Sequence, residues 1–229
     1  MLKPQKKISK REIKEDKLVT KYFESRQWVD EHKKILSYVG IGLAGLILIG
    51  FLWSKSRADA NDKATAMLAK VTQYYDDGRY ELAVNGVPQE GTQGLQAIVD
   101  ELGSSRAGQI AKLYLANSYF AMKNYDKALS IYDDISMSDK MITASAYAGM
   151  AACYEAKGDF SQAASYFEKA AAKNMAAVQA PENLQRSAAN YAAAGKKEKA
   201  VELLQKLKKE FPTSSFARDV DRYIAEYSV

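Results

Sequence analysis

Nineteen consecutive uncharged residues, Ile35 to Trp53, limit what this chain can become more than any other feature. Eleven of them are Ile, Leu, Val or Phe. Each favours insertion into lipid by about 0.3 to 0.6 kcal/mol, about 3 to 7 kcal/mol in all before Gly and Ser subtract. As a helix the run spans about 28 Å, close to the roughly 30 Å of a bilayer's hydrocarbon core. Trp28, Tyr38 and Trp53 stand near its ends, where amphipathic rings settle at the headgroup level. The run is therefore expected to cross a lipid bilayer once, as a transmembrane anchor. Two other readings compete. Ala58-Asp59-Ala60 imitates a signal-peptidase site, but 34 residues precede the run and it exceeds the usual signal core of about 7 to 15 residues, which favours retention. A buried core helix is disfavoured by Gly40, Gly42, Gly45 and Gly50, which weaken a helix in water and are common in lipid.

Charge divides the chain at the same place. Residues 1–34 hold 11 basic and 6 acidic side chains, whereas residues 54–229 hold 22 of each. Positive-inside asymmetry then expects a cytoplasmic basic tail (1–34), an anchor (35–53) and a large external part (54–229). The margin close to the membrane is thin, since Lys55, Arg57, Lys63 and Lys70 follow the anchor. A neutral main part offers no basic face to phosphates, so nucleic acid is not an expected partner.

Beyond Trp53 the sequence is rich in Ala and Tyr with helical periodicity. Leu115, Ala116, Tyr119, Tyr125, Ala128 and Tyr132 recur 35 residues later as Met150, Ala151, Tyr154, Phe160, Ala163 and Phe167, and again, offset by 37, in Ala188, Tyr191, Gly195, Ala200 and Leu204. Such a period marks stacked helix pairs, an all-α solenoid in which each pair covers the apolar flank of the next. Ala128, Ala163 and Ala200 are the expected points of close approach. A degenerate earlier unit reads Tyr74, Gly78, Tyr80, Ala83, and proline stops it after Asn85-Gly86-Val87-Pro88. Residues 85–93 are expected as a loop, Gly94 to Leu102 as a delayed second helix, Ser104-Ser105 as helix caps, and Thr213-Ser214-Ser215 as the start of a last capping helix through Tyr227. A stripe of Ala60, Ala64, Met67, Leu68, Val71, Tyr74 and Tyr75 continues helical character from the anchor into the first repeat without a flexible linker.

The residues for chemistry are missing. His32 is the single histidine and Cys153 the single cysteine, so no intramolecular disulfide can form, and neither a metal set nor a Ser-His pair is expected. Cys153 sits in an apolar helical pattern and reads as a small buried hydrophobe. Gly86, Gly91 and Gly94 lack the following Lys-Ser or Lys-Thr of a phosphate loop. Asp76-Asp77 and Asp133-Asp134 point apart on a helix and are expected to be solvated. No catalytic, cofactor or metal site is expected, and the chain reads as a binding protein.

The repeat residues resemble the tetratricopeptide repeat, with Pro212 in the terminal proline place. Lys123 stands where turn glycine is usual, Lys197 replaces an aromatic and Leu204 replaces Phe or Tyr, departures expected to weaken the third unit most. The resemblance implies a concave partner-binding groove at Ile110, Leu113, Asn117, Phe120 and Ala121, then Ser145, Ala148, Ala152 and Glu155, then Gln185 and Ala189. Leu113 and Phe120 could equally pack against the next helix. The whole layout is similar to the YfgM-type family, ancillary subunits of the Sec translocon. Local matches are Lys21-Tyr22-Phe23, Leu82-Ala83-Val84-Asn85-Gly86 and Ser105-Arg106-Ala107-Gly108-Gln109-Ile110-Ala111, the last two as in a Bacteroidetes-like branch. That resemblance implies a single-pass bacterial inner-membrane protein with periplasmic repeats. Its expected partners are translocon subunits, through a helix contact at Gly40 and Ala44, and an envelope chaperone or secreted client. The alternative is an adaptor for another envelope assembly, such as division or outer-membrane biogenesis. A reporter fused after residue 229 tests the orientation: a periplasm-dependent phosphatase should be active there, and activity of a cytoplasm-dependent reporter alone would reverse it.

Overall fold

A computed structural model describes residues 10–228 except Met137 and Ala177, with the side chains of residues 10–16 and of Leu18 outside the description. Lys3, Lys6 and Lys7 of the expected tail lie outside the described residues. The chain divides into two compact units between Ser56 and Arg57.

The first unit holds the apolar run, inside helix α1 (Lys10–Asp76). Ile47 is 73% exposed and Leu46 68%, and nothing in the most apolar 18-residue window is buried. Within its own unit the run is not a buried core helix. Among the described residues this is the one helix long and apolar enough to cross a membrane.

The second unit starts within α1 and is an α-solenoid. Here the expected stripe is realised: Ala64, Val71 and Tyr74 are buried, and Ala60, Met67, Leu68 and Tyr75 pack around them. The stripe meets α2 (Tyr80–Asn85), α3 (Leu95–Leu102) and α4 (Arg106–Ala121) through Ala83, Leu95, Ile98, Ala111 and Leu115. The pairs that follow are α4 with α5 (Tyr125–Asp133), α6 (Lys140–Ala156) with α7 (Phe160–Lys173), and α8 (Ala180–Ala193) with α9 (Lys197–Glu210), closed by α10 (Val220–Tyr227). The three close-approach alanines, Ala128, Ala163 and Ala200, are wholly buried.

One turn serves every pair. Gly78, Lys123, Gly158 and Gly195 all have positive φ, and each donates to the carbonyl three residues back: Tyr75, Phe120, Glu155 and Ala192. The next residue, Arg79, Asn124, Asp159 or Lys196, donates to the carbonyl five back at 2.8 to 2.9 Å. These two bonds satisfy the last carbonyls of the first helix, a Schellman ending. Lys123 adopts φ 62 without glycine's freedom, so its departure from the pattern is absorbed as backbone strain and not as a different turn. At two of these corners the following side chain caps the next helix, Asn124 Oδ1 accepting from Lys127 N and Asp159 Oδ1 from Gln162 N.

Two expectations need correction. Residues 85–93 are not a plain loop: Gly86–Val87 (β1) pairs antiparallel with Thr92–Gln93 (β2) across a 3-10 turn at Pro88–Glu90. A Cβ on Gly86 would lie 2.4 Å from Gly94 N, so the hairpin closes only because both residues are glycine. The last helix begins at Val220; Ser214 instead caps a 3-10 turn at Ser215–Ala217. In the third pair Leu203, Leu204 and Leu207 are all buried together where an aromatic is usual. Ser105 does cap α4, accepting from Gly108 N at 3.0 Å.

Close fit is sharpest at Gly149, where a Cβ would sit 2.3 Å from Cζ of Tyr132. Gly149→Ala should lower unfolding free energy by about 1 to 3 kcal/mol through overpacking. Lys123→Gly should raise it by about 0.5 to 1 kcal/mol, since release of left-handed strain exceeds glycine's entropy cost. Urea titration of the full chain in detergent checks both.

Candidate protein-binding groove

The first helices of the pairs, α4, α6 and α8, carry the residues expected to line a groove. Their polar groups are set by what neighbouring helices leave unpaired. On α4, Asn117 is committed at both ends: its Oδ1 accepts from Tyr132 OH at 2.5 Å and its Nδ2 donates to Tyr75 OH at 3.3 Å. Burial pushes the Tyr132 phenol well above its ordinary range, so it stays a donor. Leu113 and Phe120 pack partly buried on the cluster of Ala116, Tyr132 and Met150, with the Phe120 ring 5.5 Å from Tyr125. Ile110 is half-buried, and Ala121 is exposed. The α4 stretch is therefore occupied with internal packing.

The positions on α6 and α8 surround two hollows. Ser145 and Ala148 line one of about 150 Å³ between α6, α7 and α8; Gln185 and Ala189 line another of about 180 Å³ against Tyr223 and Tyr227 of α10. Arg186 lies on the wall of both. Glu155, also among the expected positions, fixes it: Arg186 Nη2 donates to Glu155 Oε2 at 2.5 Å, and the guanidinium lies 4.2 Å from the Phe167 ring centre. Asn190 donates to Glu155 Oε1 at 2.6 Å, while its own Oδ1 is buried without a partner. Ala152 is half-buried on the same face of α6.

Sequence reading missed Arg186, Asn183 and Asn190. Asn183 and Asn190 are seven apart, two turns on one face, a spacing that marks a polar seam. Arg186 could have been paired with Glu155 only by knowing that α6 and α8 are neighbours.

The acidic pairs are more tied than expected. Asp77 binds Arg79 at 2.7 Å, and Asp134 Oδ2 receives the nearly buried Lys112 ammonium at 2.5 Å. Gly86, Gly91 and Gly94 belong to the hairpin region. Among the described residues no group of three or more His, Cys, Asp or Glu could hold a metal. His32 Nδ1–H donates to Trp28 O at 2.8 Å, and the His32 ring stacks on the Trp28 ring.

An array of helix hairpins with a seamed inner face defines an α-solenoid of tetratricopeptide-like repeats, a protein-binding scaffold. Residues 109–173 and, separately, 182–214 match family descriptions of the tetratricopeptide repeat. Two crystal structures of the nearly identical TPR-like repeats of a kinesin light chain candidate from Podosopora anserina share the fold. They have TM-scores of 0.55 and identities of 16% and 17%, covering 73% of this chain and 85% and 86% of theirs. No curated protein matches the sequence. These similarities indicate no enzymatic family.

Cys153 is wholly buried, and burial pushes its thiol from 9.0 to about 11. The folded chain thus holds this proton more tightly than the unfolded one. The associated stability is complete below pH 9 and is lost as pH rises towards 11. Cys153→Ala should flatten part of that alkaline loss in urea midpoints. In the unmodified chain at pH 8, a thiol reagent should react slowly until denaturant is added.

Proposed function

We propose that the chain is a single-pass inner-membrane scaffold whose residues 35–53 cross the lipid, with residues 1–34 cytoplasmic and the repeats periplasmic. In this reading the repeats hold protein segments for the Sec translocon, and the partners are translocon subunits and an envelope chaperone or secreted client. One observation carries the proposal: an apolar helical run with no buried residue in its most apolar window and a repeat array with an open inner seam occur in the same chain. Lipid is the solvent that makes the first tolerable, and a protein partner is what the second accommodates.

Further observations support parts of it. The basic surplus lies ahead of the apolar run. Ala58-Asp59-Ala60 lies inside α1 and Ala60 packs on the first core cluster, an environment that resists a protease needing extended chain. A Cβ on Gly40 would meet nothing within 4 Å, so the Gly40 and Ala44 face is open to another helix in lipid. Two of the stretches similar to the YfgM-type family have architectural work: Ser105 caps α4 and Gly108 allows the carbonyl of Leu102 to approach, while Gly86 closes the hairpin. They speak for the same architecture; the partner rests on the layout as a whole.

Purification in mild detergent, with the native anchor and with residues 35–53 replaced by an unrelated apolar helix, tests the assignment. Translocon subunits should be recovered with the native anchor and lost with the replacement. Their recovery with both would mean that the repeats, not the anchor, make the contact. Their absence from both would leave the envelope-adaptor reading in place of the Sec one.

A further inference from the structure

Arg57 follows Trp53, the end of the apolar run, by four residues, so its backbone stands within about 14 Å of that end whatever path the chain takes. Arg57 also lines a polar hollow of about 410 Å³ at the starts of α4 and α6, together with Ser104, Arg106, Ser136 and Asp139. One turn past Arg57, Asn61 Oδ1 accepts from Ala107 N at 2.9 Å and fastens the start of α4 to α1. Farther along, Met141 at the start of α6 and Ala180 at the start of α8 line one hollow with Asn174. The starts of α4, α6 and α8 therefore form one edge of the array, and Arg57 belongs to it.

Two kinds of side chain mark this edge. In the polar hollow two guanidiniums meet one carboxylate, and Asp139, 3.7 Å from Arg106, is already accepting from Met141 N at 2.8 Å. Five N–H groups on each guanidinium leave donors for an anion. Val178, next to Gln179 in the loop before α8, is 87% exposed and Met141 is 61% exposed, the two most exposed large apolar side chains beyond Arg57 among the described residues. On the opposite edge, where the chain turns at Lys123, Gly158 and Gly195, Phe160 is far less exposed. Arginine beside aliphatic groups suits the boundary of a bilayer, where the guanidinium grips phosphate with two N–H groups and the aliphatic chains leave water.

We infer that this edge of the array rests on the lipid surface, with Arg57 and Arg106 on the phosphate of an anionic phospholipid and Met141 and Val178 at the level of the upper acyl chains. The inference rests on the reading of residues 35–53 as an anchor and goes beyond it, since an anchor alone leaves the repeats free to stand away from the bilayer.

The test uses the full chain in lipid nanodiscs, on a Cys153→Ala background, with one nitrobenzoxadiazole probe and acyl chains either plain or brominated near the headgroup. The probe is placed in turn on Val178→Cys, on Lys197→Cys at the opposite edge, and on Leu48→Cys in the apolar run. With phosphatidylglycerol in the discs, bromine should lower emission from Val178→Cys about twofold and leave that from Lys197→Cys unchanged. Adding Arg57→Gln and Arg106→Gln together, or omitting phosphatidylglycerol, should each remove most of that quenching, with melting temperatures checked to exclude unfolding. Quenching no greater for Val178→Cys than for Lys197→Cys, or unaltered by both changes, overturns the inference. Selective loss on adding inorganic phosphate, compared with sodium chloride of equal ionic strength, makes the free ion the ligand and overturns it too. The Leu48→Cys probe separates two failures. If it is quenched while Val178→Cys is not, the anchor stands and this inference alone falls; if neither is quenched, the anchor reading falls with it.

Discussion

Helices in this chain pair at alanine. Ala116, Ala151 and Ala188 on the first helices and Ala128, Ala163 and Ala200 on the second are all inaccessible to solvent, and no larger side chain could stand at these crossings without separating the backbones. Rings and long aliphatic chains then fill the spaces one turn away, Tyr132 lying against Gly149 and Phe167 beneath the Arg186 guanidinium. The same rule has a second effect. Where alanines line a seam that no ring reaches, as at Ala144, Ala148 and Ala170, the array is left with a hollow. Packing and binding surface therefore come from one choice of residue.

Periodicity made most of this visible. The 35- and 37-residue offsets give the pairs, the turns and the buried alanines, because each depends on residues near one another in sequence. The stripe from Ala60 to Tyr75 was legible for the same reason. What escaped was set by contacts across elements. The hairpin at residues 86–93 exists because two glycine backbones meet, which turn composition alone does not reveal. Leu203 and Leu207 are buried beside Leu204 in one cluster, a shared packing not seen when each position is compared with a consensus. The inner face divides likewise. Asn117 looks like a free polar residue until Tyr75 and Tyr132 claim it, and Glu155 gains its role from Arg186, 31 residues later.

The two units present their apolar residues in opposite ways. Beyond Arg57 the apolar residues turn inward and form three clusters of buried side chains. In the first unit the corresponding residues face outward, from Ile35 to Trp53. An outward apolar surface of that length is unfavourable in water and favourable in hydrocarbon, so one physical preference, removal of apolar area from water, accounts for both arrangements.

Lys123 has a bearing on how the array comes apart. Three of its four hairpin corners are glycine and close without opposition from their own backbone, whereas the α4–α5 corner is held in the left-handed region by the clusters on either side of it. Local opening free energies follow such differences. The one strained corner therefore falls between the segment built on α1 and the two pairs that carry the hollows, where packing on both sides must hold the backbone against its own preference.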